Sequence, residues 1–266
     1  MIKEIRKIIK VELNLIKLNL ETVLTYRTNF LLIFIGAGFY NIGALLFITY
    51  LFSKIPLITG WDRWDLIFLY GIGQTFGYIF LFSTSPNNHN FHKLIETGDF
   101  DLILIKPINS IIYSTLNVFN FEFLLSLLQP AAIIIYVLVN KSYEISILGI
   151  FVAITSFFIS FIIIHLLNVI TLIPTFWALK NQFFRLFAET SNISNYPYEI
   201  FDNRLIRLFF FTIIPYGLII NIPFRAILGK IDLKLFLLLT IVCIGFVIAT
   251  RKLWKWGLKN YTSVSS

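Results

Sequence analysis

The sequence is poor in the residues that do chemistry and in those that keep a soluble surface wet. Among 266 residues there is one cysteine, there are three histidines, and only 14% of positions are charged. Cys243 has no partner, so an intrachain disulfide and a cysteine-based metal site are both excluded. His89 and His92 fall in a polar stretch and His165 in an apolar run. No HExxH, GxSxG or metal-ligand spacing appears. The GxxxxGK[ST] phosphate loop is missing too, so this chain does not bind ATP by that route. Acids are nearly absent from the middle of the apolar runs, Glu122 excepted, which weighs against a proton-coupled carrier.

What is abundant is hydrocarbon. The chain is 58% hydrophobic with a mean hydropathy of +0.82. A soluble domain, with ~25% charged residues, covers its surface far better. Several runs exceed the ~18–20 residues that cross a bilayer. Lipid demands that backbone groups be satisfied within each segment, so these runs predict helices. They are too long and too continuous for a membrane β-barrel. The expected fold class is an all-α polytopic membrane protein with six transmembrane helices. Spans are expected at about 30–52, 66–83, up to 139, 145–172 and 233–249. Asn117, Asn120 and Glu122 blur the start of the third. Between 174 and 232 two readings stay open. Either "FWALKNQFFRLFAETSNISNYPYEIF" is a polar span and "RLIRLFFFTIIPYGLIINIPF" re-enters, or the latter is the fifth span, broken by Pro215 and Pro223. Both give six crossings.

The N-terminus is not a secretory signal, since charges recur through it. Ile2, Ile5, Ile9, Leu13, Ile16, Leu20 and Leu24 form a helical stripe flanked by Lys3, Arg6, Lys7, Lys10 and Lys17. That pattern predicts a basic amphipathic helix on the membrane surface. Net charge is +8, and the cations cluster before the first span and after the last, at Arg251, Lys252, Lys255 and Lys259. The positive-inside bias therefore puts both termini in the cytoplasm and argues against a nucleic-acid partner. Trp61 and Trp64 suit an interfacial belt on the other side. Gly73 and Gly77 form a GxxxG pair that predicts close helix packing.

One stretch breaks the apolar monotony on the cytoplasmic side. In "FHKLIETGDFDLILIKP", Phe91, Leu94 and Ile95 share a helical face, with Lys93 and Glu96 off it. Gly98 fits a helix C-cap, and Pro107 breaks structure before the third span. Apolar residues rimmed by charge predict docking of a cytosolic partner.

These residues resemble the loop signature of bacterial ABC transporter permeases of the type-2, exporter-like kind. Gly98, Asp99, Asp101, Leu104 and Pro107 match its pattern, with Phe100 in place of Leu and Lys106 in place of Arg. "YPYEIF" from Tyr196, "IPYGLIINIPF" from Ile214 and "LWKWGLKNYTS" from Leu253 resemble its later segments, in the same order. The resemblance implies a single permease domain over 1–266, an interfacial elbow at 1–27 and a coupling loop at 86–110. It implies a bacterial cytoplasmic membrane, a second permease subunit, identical or homologous, and a cytosolic ABC ATPase dimer. ATP and magnesium would bind that ATPase, with no cofactor on this chain. Phe91, Lys93, Leu94, Ile95, Glu96, Gly98, Asp99, Asp101, Lys106 and Pro107 would form the coupling region. Asn181, Gln182, Arg185, Glu189, Asn192, Tyr196, Pro197, Pro215, Asn221 and Pro223 would line the translocation path or permease interface. The competing classes are a lipid-modifying membrane enzyme and a non-transporting assembly or immunity protein. The first would show clustered carboxylates or histidines at one interface, and the second would need no ATPase.

Overall fold

The apolar runs do form helices, which close their own backbone hydrogen bonds as a bilayer requires. The computed structural model describes residues 27–107, 109–178 and 195–261. Five helical units among these are long and apolar enough to cross a membrane: Phe30–Lys54, Arg63–Thr97, Glu122–Asn140, Ile147–Phe176 and Leu233–Lys259. A bent pair, Arg204–Thr212 with Tyr216–Ile227, makes a sixth if counted as one span. There is no β-strand among the described residues, only an isolated bridge between Ile58 and Trp61. The chain is an all-α polytopic membrane protein. The amphipathic stripe at 2–24 and the polar piece at 179–194 lie outside the described residues.

In chain order the helices are α1 (Arg27–Lys54), α2 (Arg63–Ser83), α3 (Ser85–Thr97), α4 (Phe100–Leu104), α5 (Ser110–Thr115), α6 (Glu122–Ser126), α7 (Leu128–Asn140), α8 (Ile147–Leu172), α9 (Arg204–Thr212), α10 (Tyr216–Ile219), α11 (Asn221–Ile227) and α12 (Leu233–Lys259). The third crossing starts at Glu122, since residues 116–121 are not helical. α12 runs ten residues past the expected end at Ala249, because hydropathy marks only the part immersed in lipid.

The bundle has two ends, marked by Gly98 and by Trp61. The bent segment begins and finishes at the Trp61 end. Glu199, just before α9, pairs with Arg225 in α11, and Arg225 stacks over Trp61 at 5.3 Å. The chain bends by 79° between α9 and α10, a geometry that fits a broken span as well as a re-entrant hairpin. The segment's first limb exposes Leu205, Ile206, Leu208 and Phe209, while the second is buried almost throughout. Trp61, expected in an exposed belt, is instead buried beneath Phe224.

Within lipid, helix association relies on small residues and interhelical hydrogen bonds. Both are present, and of the GxxxG pair only Gly73 takes part. Gly71 lies against Ile133 and Ile134 of α7, and Gly73 against Asn195 and Ile220. Gly77 is exposed with nothing near it. Asn41 of α1 bonds Gln129 at 2.6 Å and accepts from the Tyr70 hydroxyl at 2.7 Å.

At the Trp61 end, Asp62 and Asp65 form a reciprocal capping box on α2. Lys141 donates to both at 2.7 Å, and Tyr143 donates to Asp65 at 3.1 Å. Partial burial alone would raise the Asp62 carboxyl, but the Lys141 ammonium and two backbone N–H groups outweigh it, and it titrates below its usual range. Lys141 is shifted upward, since its two carboxylate partners outweigh a desolvation that acts the other way. The depressed Asp62 stabilises the fold above about pH 4, and this is lost as pH falls through its folded pKa. The raised Lys141 stabilises below about pH 10.4, and this is lost as pH climbs through its folded pKa. Lys141→Met is therefore expected to lower stability by about 2 kcal/mol at pH 7. That is less than the ~3–5 kcal/mol of a fully buried pair, because Lys141 is partly exposed. In thermal melts the gap between wild type and variant should shrink below pH 4 and above pH 11; a gap independent of pH contradicts the assignment.

Candidate coupling site

The site is built where α2 stops being a lipid-spanning helix. Pro86 lacks an N–H, so the carbonyl of Phe82 loses its helical partner. The backbone N–H of Asn120 supplies a replacement at 2.8 Å. Asn87, fully buried, satisfies the rest of the break. Its amide donates to the carbonyls of Ser83 and Val118, at 2.7 and 2.8 Å, and its oxygen accepts from the N–H groups of Asn117 and Val118. Every polar valence of that side chain is used. Asn88 makes a reciprocal amide pair with Asn168 of α8, at 3.0 and 2.7 Å. His165, one turn away, lies between Thr84 and Thr115 at 3.5 and 3.3 Å. This polar layer fixes α3 as an extension of α2, so that 63–97 behaves as one 35-residue helical unit. At 1.5 Å per residue the unit is ~50 Å long, some 20 Å more than the hydrocarbon core.

α3 ends at Gly98, whose φ of 77° only glycine adopts freely, and whose N–H bonds the carbonyl of Ile95. The chain reverses into α4. Phe91 and Ile95 on α3 and Phe100 and Ile103 on α4 point into one buried cluster with Val169, Leu172, Ile173, Phe176 and Trp254. The Phe91 ring lies 5.7 Å from Phe100, 5.5 Å from Phe176 and 5.6 Å from Trp254. Tyr261 closes the far side, 5.5 Å from Phe100 and 5.7 Å from Phe176. Trp254 also donates its indole N–H to Ser110 at 3.1 Å. Gly257 lets this happen: a β-carbon there would lie 2.7 Å from the Phe176 ring.

The apolar face expected to meet a partner thus turns inward. A stripe on a short helix does not say who covers it, and here the covering surface comes from α8 and α12 of the same chain. Leu94 is half-buried beside the cluster. The free face carries Lys93, Glu96, Thr97 and Asp99, followed by Leu102, Ile105, Lys106 and Pro107. Ile105 is 80% exposed and Leu102 57%, so the exposed apolar group is the second half of the signature. Asp101 is half-buried, and Lys106 stacks on Tyr113 at 4.6 Å.

The second set of expected residues divides. Asn181, Gln182, Arg185, Glu189 and Asn192 lie outside the described residues. The remainder come together at the bent segment. Buried Asn221 donates to the carbonyl of Tyr196 at 3.1 Å and accepts from the N–H of Tyr198 at 3.3 Å. Pro197, Pro215 and Pro223 are buried and Tyr196 is exposed. Sequence reasoning missed Asn87, Asn88 and Asn168. The available signal was the "NN" after a proline at the end of an apolar run, since amides at such depth bond across helices.

The family model for the ABC-2 family transporter protein matches residues 39–265. The chain belongs to that family and is an ABC-type transport permease. No curated protein and no solved structure matches it.

Two outcomes test the geometry. Gly257→Val is expected to destabilise the bundle by about 2–3 kcal/mol through overpacking against Phe176. Asn87→Ala, which strands four backbone groups, should cost about 3 kcal/mol or more. Denaturant unfolding in detergent measures both, and wild-type midpoints for either variant would contradict the packing described.

Proposed function

We propose that this permease belongs to an ATP-driven exporter energised by separate cytosolic ATPase subunits. α3 and α4 would be the surface on which the ATPase pushes. ATP and magnesium would sit on that partner and supply the energy there; this chain would contribute only the lever. One observation carries the reading: the helix ended by Gly98 is packed against the ends of α8 and α12 on one face and left free on the other. A push on Glu96, Leu102 or Ile105 is then passed to three spanning helices as one body. Coupling needs a contact that differs between two states, and the free face can make and break such a contact without disturbing the buried one. In this reading Phe91 and Ile95 position the lever rather than touch the partner.

The same reading makes the Gly98 end cytoplasmic and the membrane a bacterial cytoplasmic membrane, with both termini inside. The cation bias of the sequence supports that. A second permease, identical or homologous, would complete the path, with Tyr196, Pro197, Pro215, Asn221 and Pro223 near it.

The test is to purify the tagged chain gently from its own host and identify what remains bound. An ABC ATPase is expected. Glu96→Lys with Ile105→Asp should reduce its recovery at least tenfold while leaving the melting temperature unchanged. Full recovery with the double variant would remove the lever assignment, and absence of any ATPase would remove the proposal.

A further inference from the structure

The last helix carries a second surface that coupling does not use. Trp254 and Gly257 face the aromatic cluster. On the opposite side Lys252, Lys255, Trp256 and Lys259 recur at helical spacing and are all exposed. None of the three lysines has an ion-pair partner among the described residues, and no Asp or Glu occurs between 233 and 261. Trp256 is 52% exposed and Trp177 47%, with their rings 4.9 Å apart.

The level of this stripe decides its partner. α12 starts at Leu233, capped by Asp232. At 1.5 Å per residue, Lys252 lies ~29 Å along the axis, the thickness of the hydrocarbon core. Lys255 and Trp256 fall within the next ~6 Å, where headgroups sit, and Lys259 lies at the outer edge of that layer. Indole rings favour that layer, and lysines there meet phosphate. A protein docking on Ile105 and Glu96 would use a different face.

We propose that Lys252, Lys255, Trp256 and Lys259 form a binding surface for anionic phospholipid headgroups. The lysines pair with lipid phosphate and Trp256 settles among the glycerol esters. Because the same two turns hold Trp254 and Gly257 against Phe176, bound anionic lipid steadies the base on which α3 rests. The proposal concerns lipid contact alone and stands whether or not an ATPase drives transport.

The full-length chain is reconstituted in phosphatidylcholine vesicles containing brominated phosphatidylglycerol or brominated phosphatidylcholine. Tryptophan quenching is read, with Trp256→Phe defining the share of Trp256. The expected association of phosphatidylglycerol at this site is about fivefold that of phosphatidylcholine or more, since one lysine near an anionic surface already supplies that factor. Lys252→Gln/Lys255→Gln/Lys259→Gln should bring the ratio to about one, and the corresponding triple arginine variant should keep it. A wild-type ratio near one overturns the proposal. So does an unchanged ratio in the triple glutamine variant, including the case where that variant instead loses a bound acidic protein.

Discussion

The packing of Phe91 and Phe100 against Phe176 and Trp254 is the contact on which the rest of the molecule's geometry depends. Inside a bilayer, apolar side chains gain nothing by leaving lipid for one another, so spans are joined by close approach and hydrogen bonds. At the Gly98 end the surroundings include water and headgroups, and burying four aromatic rings is driven as in a soluble core. That is where the chain brings together two signature stretches about 150 residues apart, the loop after Gly98 and the C-terminal segment from Leu253. The cluster shows why both carry aromatic residues and glycine. Gly98 turns α4 back onto the cluster, and Gly257 gives Phe176 room to lie against α12.

The break at Thr84 to Pro86 looks like a natural hinge, and its bonding argues that it is not a loose one. A proline in a helix frees a carbonyl and invites bending. Here the freed Phe82 carbonyl and its neighbours are bound by Asn120 and Asn87, and Asn88 ties the next turn to Asn168. Bending at this point would unpair polar groups that are buried inside the bundle, where water does not reach them. The proline redirects the chain once, and the amides hold it there. Rigidity of the 63–97 unit is thus encoded by polar residues, not by helix propensity.

Much of this was legible in the sequence. The described spans follow the apolar runs, the Gly98 cap follows from a glycine ending an amphipathic turn, and the sharp bend between α9 and α10 falls at Pro215, one of the two prolines that break that run. Other features were hidden for a physical reason. A stripe such as Phe91, Leu94 and Ile95 announces burial without naming the covering surface. The same ambiguity placed Trp61 in a lipid belt, when Phe224 and the cations of Arg225 and Lys230 enclose it. The spacing of Gly73 and Gly77 fits a packing motif, but only Gly73 of the pair meets a neighbour, and the close approach to α7 is made at Gly71. Hydropathy cannot see α12 beyond the lipid, which is why its last ten residues read as a tail.

The lever we propose needs compliance as well as stiffness, and the distribution of contacts suggests where compliance would lie. The 63–97 unit, α8 and α12 share the aromatic cluster, the Asn88–Asn168 pair and the glycine contacts, so they move together or not at all. α1 differs. Its outward residues, from Leu31 through Phe39 to Tyr50, are exposed, and its hold on the bundle includes the bonds of Asn41 to Tyr70 and Gln129. Interhelical hydrogen bonds of this kind contribute only about 0.6 kcal/mol each in a membrane. The outer limb of the bent segment is similarly bare, and its joint with the inner limb turns 79°. In the proposed mechanism, displacement at the Gly98 end would be absorbed against α1 and α9 and not within the central helices, and a change of access would open along those two margins of the bundle.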